Sequence, residues 1–411
     1  MFKRSLPKTG FVGQLLSYAA SEVAGKASRL VVVVVVARMM DAEAIGIAAA
    51  ALAAGDILKS FTENGAGQRI ILAAEDTLAQ TCNTAHRIFW GWCLGLFIIQ
   101  SAIAAKLLIS GYETSGWLLA ILALEYLFMP AGLVQAALAM REGKLHQTAV
   151  ISGAQVVGAN LTTAALALLW ASPFAMIVPR VIAAPVWLVL MRRLRPWHAR
   201  PDQGFCRVAP FWSYGWAVVG IEVVKVARLQ ADKLVVGALL GAEVLGYYFM
   251  AFNAGLGLAT SFAQAFSVVL FPYLCAAQDR LGALRDGLAN CILLLAPIVV
   301  LQALLAPFYV PLLLGPDWQA VSHVVSVLCL AALPAVLWSA TSGWCRAEGR
   351  PATELGVNCL LTASLTLNAA VLAPFGLMAV ASGYLVISTV IMLGASLWLL
   401  PAQTFSLRRS T

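Results

Sequence analysis

The residues of this sequence able to do chemistry are charged side chains set at helical spacing inside apolar runs. In the first run Gln14, Ser17, Ser21, Gly25 and Ser28 recur every three or four residues, with Glu22, Lys26 and Arg29 beside them. That spacing makes one polar stripe on a helix. A second run carries Asp56, Lys59 and Glu63, and a sixth carries Arg180. Glu125 stands in Leu-Ala-Leu-Glu-Tyr-Leu-Phe, and Glu222, Lys225, Arg228, Asp232 and Lys233 mark one face of a seventh run. A charge at the centre of a membrane helix costs at least about 2.5–3.5 kcal/mol, so such residues face a cavity or a partner.

Together these charges predict a water-filled, net-cationic cavity between two helix bundles, with acids that pair the bases when no ligand is present. The ligand such a cavity accepts is an anion. Arginine grips a phosphate through a bidentate fork, and lysine acts as a mobile point charge. The expected binding cations are Arg29, Lys26, Arg228, Lys225, Lys59 and Arg180, with Arg29 and Arg228 foremost. Glu22, Asp56, Glu63, Glu125, Glu222 and Asp232 are the expected charge partners or ion-coupling acids, and Glu125 reads equally as a neutral core carboxyl. For Lys26 with Glu22, Lys59 with Glu63 and Lys225 with Glu222 the alternative is a plain helix-surface ion pair at i, i+3 or i+4. Arg38 and Lys233 lie close to run ends, where long side chains snorkel to the interface, and are expected to be anchors. Pro179 and Pro185 beside Arg180 can break its helix and free carbonyls for it, and a functional and a purely structural role for Arg180 read equally.

The elements that must position these charges are long and apolar. Of 411 residues, 61% are hydrophobic and 11% charged, with a mean hydropathy of +0.86. An average soluble domain is about 45–50% apolar and about 25% charged, so a water-soluble enzyme is excluded. The chain is expected to be an all-α polytopic membrane protein. Runs of spanning length fall at about 12–38, 43–64, 88–110, 115–140, 147–170 and 173–191, and again at about 211–239, 243–275, 288–313, 319–345, 354–373 and 376–400. At about 20 residues per span, this makes roughly twelve transmembrane helices in two six-helix lobes, residues 1–191 and 211–411. Residues 192–210 are the cytoplasmic linker between them. No small-residue cleavage site follows Leu30–Val36, so the first run is expected to be retained.

Lysine and arginine test this count, because cytoplasmic loops collect them. Lys3, Arg4, Lys8, Arg69, Arg87, Arg141, Lys144, the Arg192–Arg207 group, Arg280, Arg285, Arg346, Arg350, Arg408 and Arg409 all fall on one side, and only Arg38 and Lys106 on the other. Both termini are therefore expected in the cytoplasm. Topology thus accounts for the net charge of +8, and nucleic acid is not an expected partner. The eight cysteines form no CxxC pair and the four histidines have no ligand spacing, so neither a disulfide framework nor a metal or other cofactor is expected. Trp90, Trp92, Trp117, Trp212, Trp216 and Trp398 near run ends form an aromatic belt.

The two sets of six also repeat. Glu22, Val23, Ala27, Ala42, Glu43, Gly46 and Gly55 recur without a gap as Glu222, Val223, Ala227, Ala242, Glu243, Gly246 and Gly255. A second match pairs Pro130-Ala-Gly-Leu and Glu142-Gly-Lys with Pro334-Ala-Val-Leu and Glu348-Gly-Arg, Gly143 and Gly349 being expected helix caps. Parallel repeats of this kind are a transporter signature.

The amphipathic opening run, the turn Ala-Arg-Met-Met-Asp-Ala-Glu-Ala-Ile-Gly from Ala37 to Gly46, the segment from Glu63 to Gln68, and Asp232-Lys233 followed by Gly241-Ala-Glu-Val-Leu-Gly-Tyr-Tyr resemble one family. They are similar to the polysaccharide transporters of the multidrug/oligosaccharidyl-lipid/polysaccharide exporter superfamily, and the resemblance covers nearly the whole chain. It implies a flippase that moves an undecaprenyl-diphosphate-linked oligosaccharide across the bacterial inner membrane by alternating access, for surface polysaccharide synthesis. The implied partners are the lipid-linked oligosaccharide, membrane lipids and other polysaccharide assembly proteins. The diphosphate would be neutralised by Arg29, Lys26, Lys225 or Arg228. A cation-coupled drug or metabolite antiporter of the same superfamily is the alternative, although it would want an acid-dominated cavity. An enzyme, such as a membrane-embedded polysaccharide polymerase or ligase, would carry its acids on a large external loop, and the expected external loops are a few residues long.

Overall fold

The computed structural model describes residues 25, 27–62, 64–276 and 279–400 of the chain. Among these residues every regular element is helical. A bilayer requires this of apolar segments, because each backbone N–H and C=O must find its partner within the segment or a closed barrel. In the first half the helices are residues 27–39 (α1), α2 (Ala42–Ser60), α3 (Ala66–Leu72), α4 (Leu78–Ile109), α5 (Glu113–Ala123), α6 (Glu125–Phe128), α7 (Pro130–Arg141), α8 (Leu145–Leu169) and α9 (Phe174–Leu194). In the second they are α10 (Ala209–Ala276), α11 (Arg280–Leu314), α12 (Ser322–Leu330), α13 (Ala332–Ala347), α14 (Pro351–Leu372) and α15 (Leu377–Leu399).

The protein is an all-α polytopic membrane protein. Eight described helices are long and apolar enough to cross a membrane, or nine if Glu113–Phe128 and Pro130–Arg141, bent by 50°, form one span. The three other runs expected from the sequence have local reasons to fall outside that number. The first lies partly outside the described residues. The second, α2, carries Glu43, Asp56 and Lys59 within 19 residues. The seventh and eighth are joined in α10, which is interrupted at Gly241 with φ 88° and ψ 174°, a backbone conformation that glycine alone adopts readily.

Two compact units divide the chain: Met1–Met39 with Gly55–Glu222, and Met40–Ala54 with Val223–Thr411. The first unit packs Cys93, Leu96, Ala123 and Tyr126 in one core and Ile70, Phe89, Val134 and Phe211 in another. In the second unit Ala49 of α2 joins Val236, Leu245, Tyr248, Ala369 and Val380. The Arg-rich stretch expected to be a linker is docked on the first unit. Asn83 donates to the carbonyls of Arg200 and Gly204 at 2.6 and 3.0 Å and accepts from the Arg200 N–H at 3.1 Å. Thr84 Oγ1 exchanges two hydrogen bonds with the backbone of Cys206.

The repeat is legible in backbone detail. Gly143 and Gly349 have φ of 81° and 70°. Each is followed by a cation whose N–H reaches back five residues, Lys144 to Ala139 O at 2.9 Å and Arg350 to Cys345 O at 2.8 Å. This is the Schellman stop, which satisfies carbonyls left over at a helix end. The starts of the repeat-related helices also meet inside the second unit. A Cβ on Gly46 would lie 1.7 Å from Ala242 O, and one on Gly246 would lie 1.8 Å from Ala42 O. Small residues let two helix backbones touch in this way.

Candidate functional site

In the first unit, three helices bring four of the expected charges together. Asp56 and Lys59 sit three residues apart on α2, so they share a face. Arg180 follows Pro179 on α9. Glu125 opens α6, the single turn at the bend between α5 and α7. Glu125, 3% exposed, receives Lys59 Nζ at 2.5 Å and Arg180 Nε at 2.7 Å. Arg180 Nη2 reaches Asp56 Oδ1 at 2.6 Å. One guanidinium therefore bridges two carboxylates, and one carboxylate bridges two bases. Gly55 permits the approach, since a Cβ there would stand 3.1 Å from Leu122 of α5.

Lys59 pairs with Glu125, 66 residues away; Glu63, its alternative helix-surface partner at i+4, lies outside the described residues. Glu125, read as an ion-coupling acid or a core carboxyl, is buried and paired with both bases. The expectation for the Arg180 helix is corrected. Helix α9 continues through Pro179 and Pro185, and Arg180 is held by two carboxylates. With two acids and two bases the network is formally neutral. Arg29, exposed on α1, adds positive charge within electrostatic reach of Asp56. Next to it Ser28, buried, accepts from Asn160 Nδ2 of α8 at 2.9 Å. Asn160 was not singled out in the sequence, although an amide within the apolar run of α8 was the available clue. Lys26, Glu22 and Glu63 lie outside the described residues.

The second unit holds another network. Asp232 and Lys233 are 3% and 6% exposed. Tyr248 Oη donates to Asp232 Oδ2 at 2.8 Å, and the Lys233 N–H donates to Asp232 Oδ1 at 2.9 Å. Lys233 Nζ lies 3.7 Å from Asp232 Oδ1, donates to the Leu229 carbonyl, and sits 4.5 Å over the Phe252 ring. Lys233 is thus no interfacial anchor, as its place near a run end suggested. The break at Gly241 folds the following segment back, and Tyr248 and Phe252 cover it. Asp232 and Arg228 both act electrostatically on Tyr384 of α15. Arg228 and Glu222 are half-buried and Lys225 is exposed. Among the described residues no group of histidine, cysteine and acidic side chains could hold a metal ion.

Comparison with known proteins agrees with this architecture. A family model described as polysaccharide biosynthesis protein matches residues 35–323. The lipopolysaccharide biosynthesis protein WzxC of Escherichia coli (strain K12) is 23% identical over 315 residues, which are 74% of this chain and 63% of WzxC. This chain therefore spans less than two thirds of that relative's length. The solved structure of the lipid II flippase MurJ in an inward closed conformation superposes with a TM-score of 0.78 at 14% identity, over 96% of this chain and 89% of that one. An inward-facing multidrug resistance MATE family transporter of the MOP superfamily gives 0.67 at 12% identity, over 93% and 96%. At these identities the structural likeness carries the fold, which is the one shared by these transporters.

Proposed function

Because the chain belongs to the polysaccharide biosynthesis protein family, we propose that it is a flippase moving a lipid-linked oligosaccharide across the bacterial inner membrane by alternating access. The observation that carries this reading is the network of Asp56, Lys59, Glu125 and Arg180. Buried charges are costly unless paired, and here two cations are kept within apolar helices by carboxylates. A diphosphate head group offers the same anionic, multidentate acceptor and takes over Arg180 and Lys59, aided by Arg29. Its departure returns them to Glu125 and Asp56. In the second unit Arg228 and Lys225 play the corresponding part, with Asp232 held in reserve by Tyr248. Twelve helices in two lobes, residues 1–191 and 211–411, both termini cytoplasmic, and contact with other assembly proteins complete the proposal.

A deletion strain complemented with wild type, Arg180→Ala or Arg29→Ala tests it. The expected result is a lipid-linked oligosaccharide held on the cytoplasmic leaflet and loss of surface glycan, both reversed by wild type alone. An unchanged pool and unchanged surface glycan in the deletion strain would sink the proposal.

A further inference from the structure

The first unit holds a second feature, on the side where α4 and the start of α10 pass the loop before α3. A shallow cleft is lined by Asn64, Ile88, Trp92, Phe211, Trp212 and Trp216. Its wall is a chain of indoles: Trp92 and Trp212 lie 5.5 Å apart, and Trp212 and Trp216 lie 5.7 Å apart. The polar tip of Trp92 is already used, donating to Phe61 O at 2.5 Å, so the ring faces what enters. Trp212 and Trp216 are 45% and 62% exposed and lie within the first two turns of α10. Gly215 brings α10 against the Asn64 backbone, since a Cβ there would lie 2.6 Å from Asn64 O.

One polar group in the cleft has no partner. Asn64 is 8% exposed, its Oδ1 accepts from the Ala66 N–H at 3.1 Å, and its Nδ2 is buried without an acceptor. An unsatisfied buried donor costs about 1–3 kcal/mol. The Arg69 guanidinium is 5.8 Å from the Phe211 ring centroid and its Nε has no acceptor. No carboxylate lines the cleft among the described residues. The cleft therefore offers an apolar indole wall and one neutral donor, with a cation set against its Phe211 ring.

We propose that this cleft binds an anionic glycerophospholipid of the surrounding bilayer. The acyl chain lies along Trp212 and Trp216, an ester carbonyl accepts from Asn64 Nδ2, and the phosphate faces Arg69. A glycerol ester carries an acyl chain, a carbonyl and a phosphate, one for each of these three features. A polyprenyl phosphate has no such carbonyl. This site is separate from the charge networks above and does not depend on the translocation reading.

The test uses the full chain in nanodiscs of phosphatidylcholine containing rising fractions of phosphatidylglycerol brominated on its acyl chains, with tryptophan quenching as readout. The component lost in the Trp212→Phe/Trp216→Phe variant is expected to half-saturate at a mole fraction at least about threefold lower for phosphatidylglycerol than for equally brominated phosphatidylcholine, the order expected of one arginine beside an anionic head group. Arg69→Gln should reduce that preference, whereas Asn64→Leu should raise the half-saturating fraction of both lipids alike, because both carry the ester carbonyl, and Arg69→Gln reads alone if Asn64→Leu does not fold. Equal curves for the two lipids in wild type, or a preference unchanged in Arg69→Gln, overturn the proposal. So does relief of quenching by unbrominated undecaprenyl phosphate or by inorganic phosphate but not by unbrominated phosphatidylglycerol.

Discussion

At Glu125 a single carboxylate answers two bases, so what happens on removing it depends on which charge is left behind. Truncating one partner of a buried pair costs about 3–5 kcal/mol, because the other stays buried and uncompensated. Arg180 retains a quarter of its side-chain exposure and Lys59 a third, which places the loss for Glu125→Ala near the lower end. Thermal unfolding in detergent should therefore rank Glu125→Ala and Arg180→Ala well below wild type, with Lys59→Ala milder. The Glu125→Ala/Arg180→Ala double variant should lose less than the sum of the singles, with a coupling of about 0.5–3 kcal/mol. Additive losses would mean that the pair does not act as a unit. All four members were visible in the sequence as charges in apolar runs, but their pairing was not. Helical spacing speaks only of neighbours three or four residues on, whereas Glu125 is 66 residues from Lys59 and on another helix. Lys233 shows the same limit. Its distance from a run end was readable, but not the return of Phe252 over it.

At the level of elements, glycines decide where helices start, stop and touch. Gly143 and Gly349 were legible as stops because glycine and a following cation are the chemistry of a helix end. The break at Gly241 was legible only as a gap between apolar runs, and its reason is conformational. A Cβ there meets nothing within 4 Å, so Gly241→Ala should cost on the order of 1–3 kcal/mol through backbone strain alone. Gly46→Ala and Gly246→Ala are expected to be worse, because their methyl groups would occupy the position of an opposing carbonyl. The ordering to be found by size-exclusion and thermal unfolding is Gly241→Ala milder than either. Should Gly46→Ala melt like wild type, the close approach of Ala42–Gly46 and Ala242–Gly246 is wrong. The sequence repeat aligned these four residues but gave no sign that they would meet, since alignment carries no distance.

For the whole molecule, charge and hydropathy dictate an all-α membrane protein, and the superposition on transporter structures carries its fold. Side-specific labelling tests the proposed orientation. In a cysteine-free background, a cysteine at His198 should react with an impermeant maleimide only after the inner membrane is opened, and one at Glu113 should react in intact spheroplasts. The reverse pattern would invert the topology. The stretch at residues 192–210 is fastened to α4 by Asn83 and Thr84, and residues Met40–Ala54 group with the second unit. Ala49, contributed by the first repeat, completes the core of Val236, Tyr248 and Ala369. A gene cut at the linker would separate that segment from the core it fills, so the two repeats, though alike in sequence, have become an inheritance that cannot be divided.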